Sequence, residues 1–454
     1  MNYDVIVLGG GPGGYYAAEQ AGKAGLKTLC IEGRALGGTC LNEGCIPTKA
    51  LLYSGKMYIH AKEGEPFGIH AENVTIDHPA VIQRKNKIVK TLVTGVGSTL
   101  KAHKVEVLKS FGTIAGKNEE GYLVEVDGET HSAKNLIIAT GSVCTILPIP
   151  GLEEGLDKGF VLTNREILDL EELPKKLVVL GGGVIGLEMA TYYAMVGVEV
   201  VVLEMLDHIA GNTDKDIRDE LQKSCEKLGM QFILNAKVTE VTKDGVIYEK
   251  DGASEEVKAD KVLLSIGRRA NTENIGLETI QVETERGAIV TDEYMKTNIP
   301  NVYAIGDVNG KLMLAHTAYR EADVAVNNIR GLKDQMRYNA IPSVIYTLPE
   351  VASVGETEES ATEKGLNIKV VKLPMSYSGR YLVETNRERG LMKLVFNTDN
   401  DVLIGAQFIT NYSSEFIGIC ATFIEMEMSA KDIKEVVLPH PTVMEIIRDA
   451  ANQY

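Results

Sequence analysis

Residues 3–33, YDVIVLGGGPGGYYAAEQAGKAGLKTLCIEG, determine the fold of the N-terminal region. An apolar strand, a glycine-rich turn, a helix of small residues and a second apolar strand follow one another, which is the pattern of one βαβ unit. The same pattern returns in residues 175–204, KKLVVLGGGVIGLEMATYYAMVGVEVVVLE. We therefore predict two α/β domains of similar build, each with a parallel sheet and a helix that begins at the glycine turn.

The glycines of the first turn fit the G-x-G-x-x-G fingerprint of dinucleotide binding. The fingerprint consists of Gly9, Gly11 and Gly14, with Pro12 at the start of the helix and Glu32 at the end of the second strand. The turn and the helix N-terminus would hold a pyrophosphate, and the acid would accept hydrogen bonds from a ribose. Glycine turns also serve plain packing, but here the strand, the helix and the acid are all present in the expected order.

A second complete fingerprint predicts a second dinucleotide. It consists of Gly181, Gly183, Gly186 and the acid Glu204. A 2′-phosphate on the ribose would call for arginine after the acid. The chain continues instead with Met205, Leu206, Asp207 and His208. The sequence therefore favours NAD over NADP.

Changes of pattern along the chain suggest where the domains begin and end. The Pro- and Gly-rich stretch PIPGLEEGL, residues 148–156, is the best linker into the second copy, and antiparallel strands followed by helices begin past residue 340. We predict that residues 1–150 are the first part of one dinucleotide-binding domain and that residues 151–270 are the other. Residues 271–340 would complete the first, and residues 341–454 would form a C-terminal domain of a third kind.

Composition excludes several classes of partner. With 454 residues the chain is expected to hold about three domains. Its formal net charge of -16 argues against binding nucleic acid, which needs clustered Lys and Arg. We identify no secretion leader and no apolar run of about 18 residues, so we expect a cytoplasmic protein that does not bind membranes.

Cysteine spacing points to redox chemistry. Cys40 and Cys45 lie close together and are followed by Lys49, whereas the other four cysteines are isolated among apolar neighbours. Five helical residues advance roughly 7.5 Å, and bridged Cα atoms lie within about 6.8 Å. A disulfide would therefore need a distorted turn, which Gly44 could help to supply. Two unbridged thiols are the alternative reading; a metal site is disfavoured, because no nearby residues complete four ligands.

Residues 37–49, GGTCLNEGCIPTK, resemble the redox-active motif of the pyridine nucleotide:disulfide oxidoreductases. Further motifs of that family follow in its order along essentially the whole chain, with the greatest similarity to the members that oxidise dihydrolipoamide. The resemblance implies two Rossmann-like dinucleotide-binding domains, for FAD and NAD, and a C-terminal α+β dimerisation domain. It also implies one non-covalent FAD per subunit, with NAD⁺/NADH as co-substrate and no metal.

The resemblance assigns roles around the cysteines. Cys40 would be the interchange thiol that reacts with the dithiol substrate, and Cys45 the charge-transfer thiol beside the flavin. Lys49 would lie near the flavin, and Glu188, in GVIGLEMA, would pair with Lys49 and border the NAD site. For Glu188 the alternative is an acid favoured by the first turn of a helix.

Other motifs supply the remaining cofactor contacts that the resemblance implies. TNIPNVYAIGDV carries Asp307, which would hold the FAD ribitol, and SIGRRAN carries Gly267, which would border NAD. The remaining residues assigned to FAD are Gly112, Thr140, Gly141, Ser142, Met313, Leu314, Ala315 and His316.

The C-terminal motif HPTVME, residues 440–445, provides a candidate acid–base pair. His440 could accept a thiol proton and Glu445 could orient its ring, which resembles the family's catalytic dyad. Thr442 and Glu445 also fit a capping box at a helix start, and both readings can hold together. Met444 departs from the family pattern, which usually has a small residue there.

The resemblance implies that protein-bound dihydrolipoamide is oxidised and NAD⁺ is reduced. It implies an obligate homodimer in which His440 serves the other subunit. The partners would be the lipoyl domains and core of a 2-oxo acid dehydrogenase complex, or the lipoylated H protein of glycine cleavage. Two alternatives stay open: another NAD(P)H-dependent disulfide reductase of the same family, and a non-catalytic subunit that docks through its acidic surface.

Overall fold

The computed structural model describes residues 2–386 and 388–454. The strands of this part, β1 to β24 in chain order, are Asn2–Leu8, Thr28–Ile31, Glu106–Leu108, Gly112–Asn118, Gly121–Val126, Glu129–Ile138, Ser142–Cys144, Val161–Leu162, Lys176–Leu180, Glu199–Leu203, Gln231–Ile233, Lys237–Val241, Gly245–Lys250, Ala253–Lys258, Lys261–Leu264, Arg268–Ala270, Thr284–Glu285, Ala288–Ile289, Val302–Ala304, Ser343–Ile345, Glu350–Gly355, Ile368–Pro374, Leu391–Asn397 and Val402–Thr410.

The α-helices of the same part, α1 to α13, are Pro12–Lys23, Gly38–Glu43, Cys45–Lys62, His78–Ala102, Leu152–Asp157, Val184–Met195, Lys215–Lys227, Ala315–Ile329, Glu358–Glu363, Gly379–Glu384, Ser413–Glu425, Ala430–Glu435 and Ile446–Ala451. Short 3₁₀ turns include Gly306–Asn309 and Val443–Glu445. None of these helices is both long enough and apolar enough to cross a membrane.

The first compact unit comprises the described residues up to Ala50, with Ile82–Ile146 and Gly267–Arg337. Its main sheet has the strand order β3-β2-β1-β6-β5-β4, with β19 also paired to β6. The strands β3, β2, β1, β6 and β19 run parallel, whereas β5 is antiparallel to both of its neighbours, β6 and β4. The centre of β1 is fully buried, as expected for a parallel strand covered on both faces. The glycine turn therefore lies at the carboxyl end of a central parallel strand.

The second unit comprises Leu51–Val81, Leu147–Ile266 and Tyr338–Tyr454. It contains a parallel sheet of order β11-β10-β9-β15-β8, a small antiparallel sheet β12-β13-β14, and an antiparallel sheet of order β20-β21-β24-β23-β22. The C-terminal sheet packs with α11 to α13 around one buried apolar cluster. The prediction of two βαβ-based domains and a C-terminal α+β domain is confirmed, whereas the domain boundaries near 150, 270 and 340 stay predictions.

A buried lysine connects two parts of the second unit. Lys393 on β23 is 2% exposed, and its Nζ lies 2.8 Å from Asp214, 2.9 Å from Asp216 and 2.7 Å from Glu358. Burial alone would lower the pKa of Lys393, but hydrogen bonds to the three carboxylates outweigh it and raise the pKa above its ordinary value. The charged amine thus joins the start of α7 to the C-terminal sheet.

Candidate active site

The two cysteines form a disulfide that joins two helices separated in sequence only by Gly44. Cys40 lies in α2, Cys45 is the first residue of α3, and their Cα atoms are 4.7 Å apart. This spacing falls within the range of bridged cysteines because the chain leaves the helical conformation at Gly44. Both cysteines are half-buried. The distorted turn expected from the sequence is therefore present.

The start of α3 favours a negative sulfur at Cys45. The unsatisfied N–H groups of an α-helix make its N-terminus partly positive, and thiolates are stabilised there. Lys49 stands four residues later, which places its side chain on the same face of α3. The helix end therefore favours a thiolate at Cys45, and Lys49 lies one turn further along the same face of α3.

The remaining cysteines do not share this environment. Cys30, Cys225 and Cys420 are fully buried. Burial raises the pKa of Cys30 and of Cys225 to about 12, and it raises the pKa of Cys420 further. These thiols stay protonated at neutral pH and are poor nucleophiles. Cys144 is half-buried and unbridged.

Two glycines of each fingerprint are required by the fold itself. Gly9 and Gly181 have φ angles of +108° and +101°, which L side chains rarely adopt. At Gly14 and Gly186 a Cβ atom would lie 1.8 Å and 2.2 Å from the carbonyl oxygen of the first glycine of the same turn. These four positions allow the turn to close and the helix to pack against it.

The middle glycine of each fingerprint has no such packing reason. A Cβ at Gly11 would come no closer than 3.8 Å to any described protein atom, and a Cβ at Gly183 would have none within 4 Å. The space beside each of these two glycines is therefore open on the outer side of the turn. An open approach to the backbone at a helix N-terminus is what a pyrophosphate requires. The packing-only reading does not explain these two positions.

Each fingerprint acid is bound to its own glycine turn. Glu32 accepts the N–H of Gly10 at 2.7 Å, and Glu204 accepts the N–H of Gly182 at 2.6 Å. The other oxygen of each carboxylate accepts a backbone N–H that lies two residues further along the chain. The two acids thus occupy equivalent positions in the two units, each fixed beside the open side of a turn.

None of the four residues that follow Glu204 in the sequence is an arginine. Met205 is 66% exposed and Leu206 is 45% exposed. A hydrogen bond from His208 lowers the pKa of Asp207. Asp207 is therefore ionised at neutral pH, and a 2′-phosphate at this position would meet two carboxylates.

Two predicted FAD motifs, which carry Ser142 and Asp307, come together in the first unit with the motif of Gly267, which was predicted to border NAD. Strand β7, which carries Ser142, pairs with β16, which follows Gly267. Ser142 Oγ donates to Asp307 Oδ2 at 2.5 Å and accepts from Arg268 Nε at 2.8 Å. The structure thus places Gly267 in the first unit, beside the residues assigned to FAD. Sequence reasoning did not identify Arg268, although SIGRRAN contains it.

The other residues assigned to FAD also belong to the first unit. The backbone turns at Gly141, with φ of +74°, and Thr140 Oγ1 donates to a backbone carbonyl at 2.7 Å. Met313 and Leu314 directly precede α8, which begins at Ala315. Met313, Leu314 and Ala315 are half-buried, and His316 is exposed. A Cβ at Gly112 would lie 2.9 Å from Leu8. Packing within the sheet accounts for that glycine without a ligand.

Glu188 is buried in the second unit. Its side chain is on α6, the residue is 4% exposed, and its Oε1 accepts the N–H of Tyr346 at 2.9 Å. An acid that merely favours a helix start would be solvated, so the structure does not support that reading. Its pairing with Lys49 stays a prediction.

The C-terminal motif forms a histidine–glutamate pair. His440 Nδ1 lies 2.8 Å from Glu445 Oε1, and Glu445 Oε2 accepts the N–H of Thr442 at 2.7 Å. Burial would raise the pKa of Glu445, but the hydrogen bonds from Thr442 and His440 outweigh it and lower that pKa. The ionised carboxylate can only accept, so Nδ1 of a neutral His440 carries the proton and Nε2 is the basic nitrogen.

The two readings of this motif hold at the same time. Glu445 is the acid of a capping box at the 3₁₀ turn Val443–Glu445 and also the partner of His440. The His440 side chain is 82% exposed, whereas that of Glu445 is 17% exposed. Glu445 orients the His440 ring, and the ring is exposed to solvent. His440 is therefore suited to act as a base on a substrate that comes from outside the chain.

Within residues 2–386 and 388–454, no group of three or more His, Cys, Asp or Glu side chains could hold a metal ion. The Cys40–Cys45 disulfide and the His440–Glu445 pair are suited to thiol–disulfide exchange and proton transfer.

Comparison with known protein families agrees with this chemistry. Residues 3–322 match the family described as pyridine nucleotide-disulphide oxidoreductase. Residues 341–451 match the dimerisation domain of the same family. Together the two matches cover nearly the whole chain.

Curated relatives align over their full length. A dihydrolipoyl dehydrogenase of Bacillus subtilis is 41% identical, with 99% of this chain and 95% of the relative covered. A dihydrolipoyl dehydrogenase of Chlamydia muridarum is 39% identical, with 99% and 96% covered. The mitochondrial dihydrolipoyl dehydrogenase of Pisum sativum is 40% identical, with 99% and 90% covered.

Solved structures share the fold. LpdA from Mycobacterium tuberculosis superposes with a TM-score of 0.90 at 26% identity, with 99% of each chain covered. The HOCl-induced flavoprotein disulfide reductase RclA from Escherichia coli superposes with a TM-score of 0.87 at 28% identity, again with 99% of each chain covered.

Proposed function

The chain belongs to the pyridine nucleotide-disulphide oxidoreductases, and on that premise we propose that it oxidises dihydrolipoyl groups to lipoyl groups and reduces NAD⁺. The observation that carries this proposal is the accessible Cys40–Cys45 disulfide, whose second sulfur stands at the start of an 18-residue helix. Full-length relatives at 37–41% identity are dihydrolipoyl dehydrogenases. The chain is therefore a flavoprotein dithiol oxidoreductase.

FAD and NAD fit the two fingerprints. The open sides of Gly11 and Gly183 would admit a pyrophosphate, and Glu32 and Glu204 stand where a ribose would be held. We assign FAD to the first unit, which also contains Asp307, and NAD to the second. FAD held by these residues would supply two-electron redox chemistry, linking the reduced Cys40–Cys45 pair to hydride transfer to NAD⁺.

The protein's own residues carry the thiol chemistry. His440 Nε2 removes a proton from one substrate thiol, and the resulting thiolate attacks Cys40 Sγ, which breaks the disulfide and releases Cys45 as a thiolate. The second substrate thiol then attacks the mixed disulfide at the substrate sulfur and releases Cys40, and the proton of that second thiol passes to the departing Cys40 sulfur. One lipoyl disulfide has formed, one protein disulfide has opened, and two electrons have entered the cysteine pair.

The environment of Cys45 explains why the substrate thiolate attacks Cys40 rather than Cys45. The sulfur that leaves more readily is the one whose thiolate is better stabilised. Cys45 has the helix N-terminus of α3 and Lys49 one turn away, whereas Cys40 lies inside the six-residue helix α2. Attack at Cys40 therefore expels the favoured thiolate.

The match of residues 341–451 to the dimerisation domain supports a homodimer. We assign the exposed His440 of one subunit to the Cys40–Cys45 disulfide of its partner. Lipoyl domains of a 2-oxo acid dehydrogenase complex, or a lipoylated H protein, would supply the dithiol. We also propose a cytoplasmic location, because the four unbridged cysteines fit a reducing compartment.

The test is an anaerobic titration of the full-length protein with dihydrolipoamide, followed by addition of NAD⁺. We expect a long-wavelength absorption band from the Cys45 thiolate beside the oxidised flavin, and then formation of NADH. Cys45→Ser should abolish both signals. Cys144→Ser, which removes a half-buried cysteine outside the bridge, is the matched control and should behave as the wild type.

Each outcome decides between named alternatives. If dihydrolipoamide leaves the flavin oxidised while NADH reduces it, the protein is a disulfide reductase with another substrate. If Cys45→Ser retains full turnover, the disulfide is not part of the reaction. If the purified protein binds no FAD, the proposed function is wrong.

A further inference from the structure

The turn that carries Asp307 is held by a buried acid on another element. Glu321, on α8, is 0% exposed, and its Oε2 accepts the N–H of Gly306 at 2.6 Å and the side-chain amide of Asn309 at 3.1 Å. Gly306 and Asn309 are the two ends of the 3₁₀ turn Gly306–Asn309, and Asp307 lies between them. One carboxylate oxygen therefore binds both ends of this turn.

A second set of contacts, with Ser142 and Arg268, holds the side chain of Asp307. Arg268 Nε donates to Ser142 Oγ at 2.8 Å, and Arg268 Nη2 donates to the Ser142 carbonyl at 2.7 Å. Because the guanidinium has no acceptor, the hydroxyl must donate its own proton, which goes to Asp307 Oδ2. Asp307 Oδ1 has no hydrogen-bond partner among the described residues, so this oxygen remains available to a ligand.

We propose that Glu321 is a positioning residue for FAD: its carboxylate holds the Gly306–Asn309 turn so that Asp307 Oδ1 is available to the flavin ribitol. This inference rests on the proposed function, because it takes FAD as the ligand of Asp307. A buried carboxylate is costly unless hydrogen bonds compensate it. Packing alone would favour an apolar residue at this position. We therefore attribute the buried glutamate to the hydrogen bonds that its carboxylate accepts from the turn.

The direction of the change in FAD affinity distinguishes a positioning role of Glu321 from an effect of its charge. FAD is an anion, so a nearby carboxylate repels it. By charge alone, loss of the negative charge of Glu321 would therefore strengthen FAD binding. Loss of the charged acceptor instead weakens the two hydrogen bonds that hold the turn, because charge-assisted bonds are about twice as strong as neutral ones. Positioning therefore predicts weaker binding in Glu321→Gln, whereas a charge effect predicts tighter binding.

The experiment compares FAD affinity in full-length variants by fluorescence titration of the apoprotein. We expect Glu321→Gln to raise the Kd for FAD about tenfold and to reduce the visible circular dichroism of the bound flavin. Asp323→Asn is the matched control, since Asp323 is a half-buried acid on the same helix whose side chain is hydrogen-bonded to Tyr16. It should bind FAD as tightly as the wild type or more so.

A purely structural role would lower the unfolding temperature of the apoprotein without a change in FAD affinity. That result, or FAD binding by Glu321→Gln within twofold of the wild type, overturns the inference. If Glu321→Gln does not fold, Asn309→Ala replaces it, because it removes only one of the two donors; unchanged FAD affinity there also overturns the inference. A wild type that binds no FAD would instead refute the proposed function.

Discussion

Replacement of Glu445 by Gln should slow dihydrolipoamide oxidation while leaving the local fold intact. The amide oxygen of glutamine can still accept the N–H of Thr442, which Glu445 Oε2 accepts at 2.7 Å. The contact with His440 Nδ1 at 2.8 Å would lose its charge, so the imidazolium formed during proton transfer would no longer face a carboxylate. The variant therefore separates the catalytic task of Glu445 from its capping task.

The magnitude follows from the exposure of the pair. A hydrogen bond to a charged group contributes about 1.5–3 kcal/mol. Because the His440 side chain is 82% exposed, solvent screens the pair and the lower end of this range applies. At about 1.4 kcal/mol for each factor of ten, kcat/KM for dihydrolipoamide should fall roughly tenfold.

The lowered pKa of Glu445 predicts how the rate defect of Glu445→Gln depends on pH. The folded protein lowers the pKa of Glu445, so the contribution of the carboxylate is complete above the ordinary carboxyl range and is lost only as the pH falls below it. The defect of Glu445→Gln should therefore persist from about pH 6 to pH 9, because the wild-type carboxylate stays ionised throughout that range. A defect that disappears within this range would contradict the assignment.

Steady-state rates with dihydrolipoamide and NAD⁺ measure the effect, and NADH-dependent reduction of ferricyanide, which bypasses the thiols, serves as the internal reference. Asp432→Asn is the matched control, because Asp432 accepts the N–H of Ser429 in a capping box that contains no histidine. The reasoning fails if Glu445→Gln costs no more than Asp432→Asn, or if both activities fall equally.

Three further predictions concern the second unit. Gly183→Ala should weaken NADH binding, measured by fluorescence titration, without lowering the unfolding temperature, whereas Gly186→Ala should lower that temperature because its Cβ would meet a carbonyl oxygen at 2.2 Å; equal stability would contradict this. Met205→Arg should lower the KM for NADP⁺ about tenfold, since it adds a cation beside Glu204; an unchanged KM would place the ribose elsewhere. Lys393→Met should reduce the free energy of unfolding by about 3 kcal/mol, because it leaves Asp214 buried without its cation; in urea denaturation the exposed Lys258→Met should show little change, and similar losses would refute the argument.

The fold and the local motifs could be predicted because their determinants are contiguous in sequence. The strand, turn and helix around Gly9 occupy residues 2–23, and Cys40, Gly44 and Cys45 lie within six positions. In such segments, residue spacing directly restricts geometry. The capping box of Thr442 and Glu445 is another case, since its spacing alone brings the two residues together.

Contacts between distant segments could not be predicted in this way. Arg268 reaches Ser142 across 126 residues, and Lys393 reaches Asp214 across 179. Nothing in either residue's neighbourhood specifies its partner, because the pairing depends on how β7 meets β16 and how α7 meets β23. Gly267 was assigned to NAD because SIGRRAN resembles the end of the family's NAD domain; its carbonyl accepts the N–H of Thr145 in the first unit, and the NAD assignment stays a prediction. A β-strand boundary does not reveal which unit the next residue joins.

The double attachment of Glu445 has a consequence for spectroscopy. One carboxylate joins the imidazole ring of His440 to the backbone amide of Thr442, so a change in the ring's charge alters the electron density at the oxygen that this amide binds. The amide proton of Thr442 is thereby a reporter of a proton transfer in which it takes no part. Its NMR frequency, followed against pH or during turnover, would read the state of the histidine without any label placed at the site.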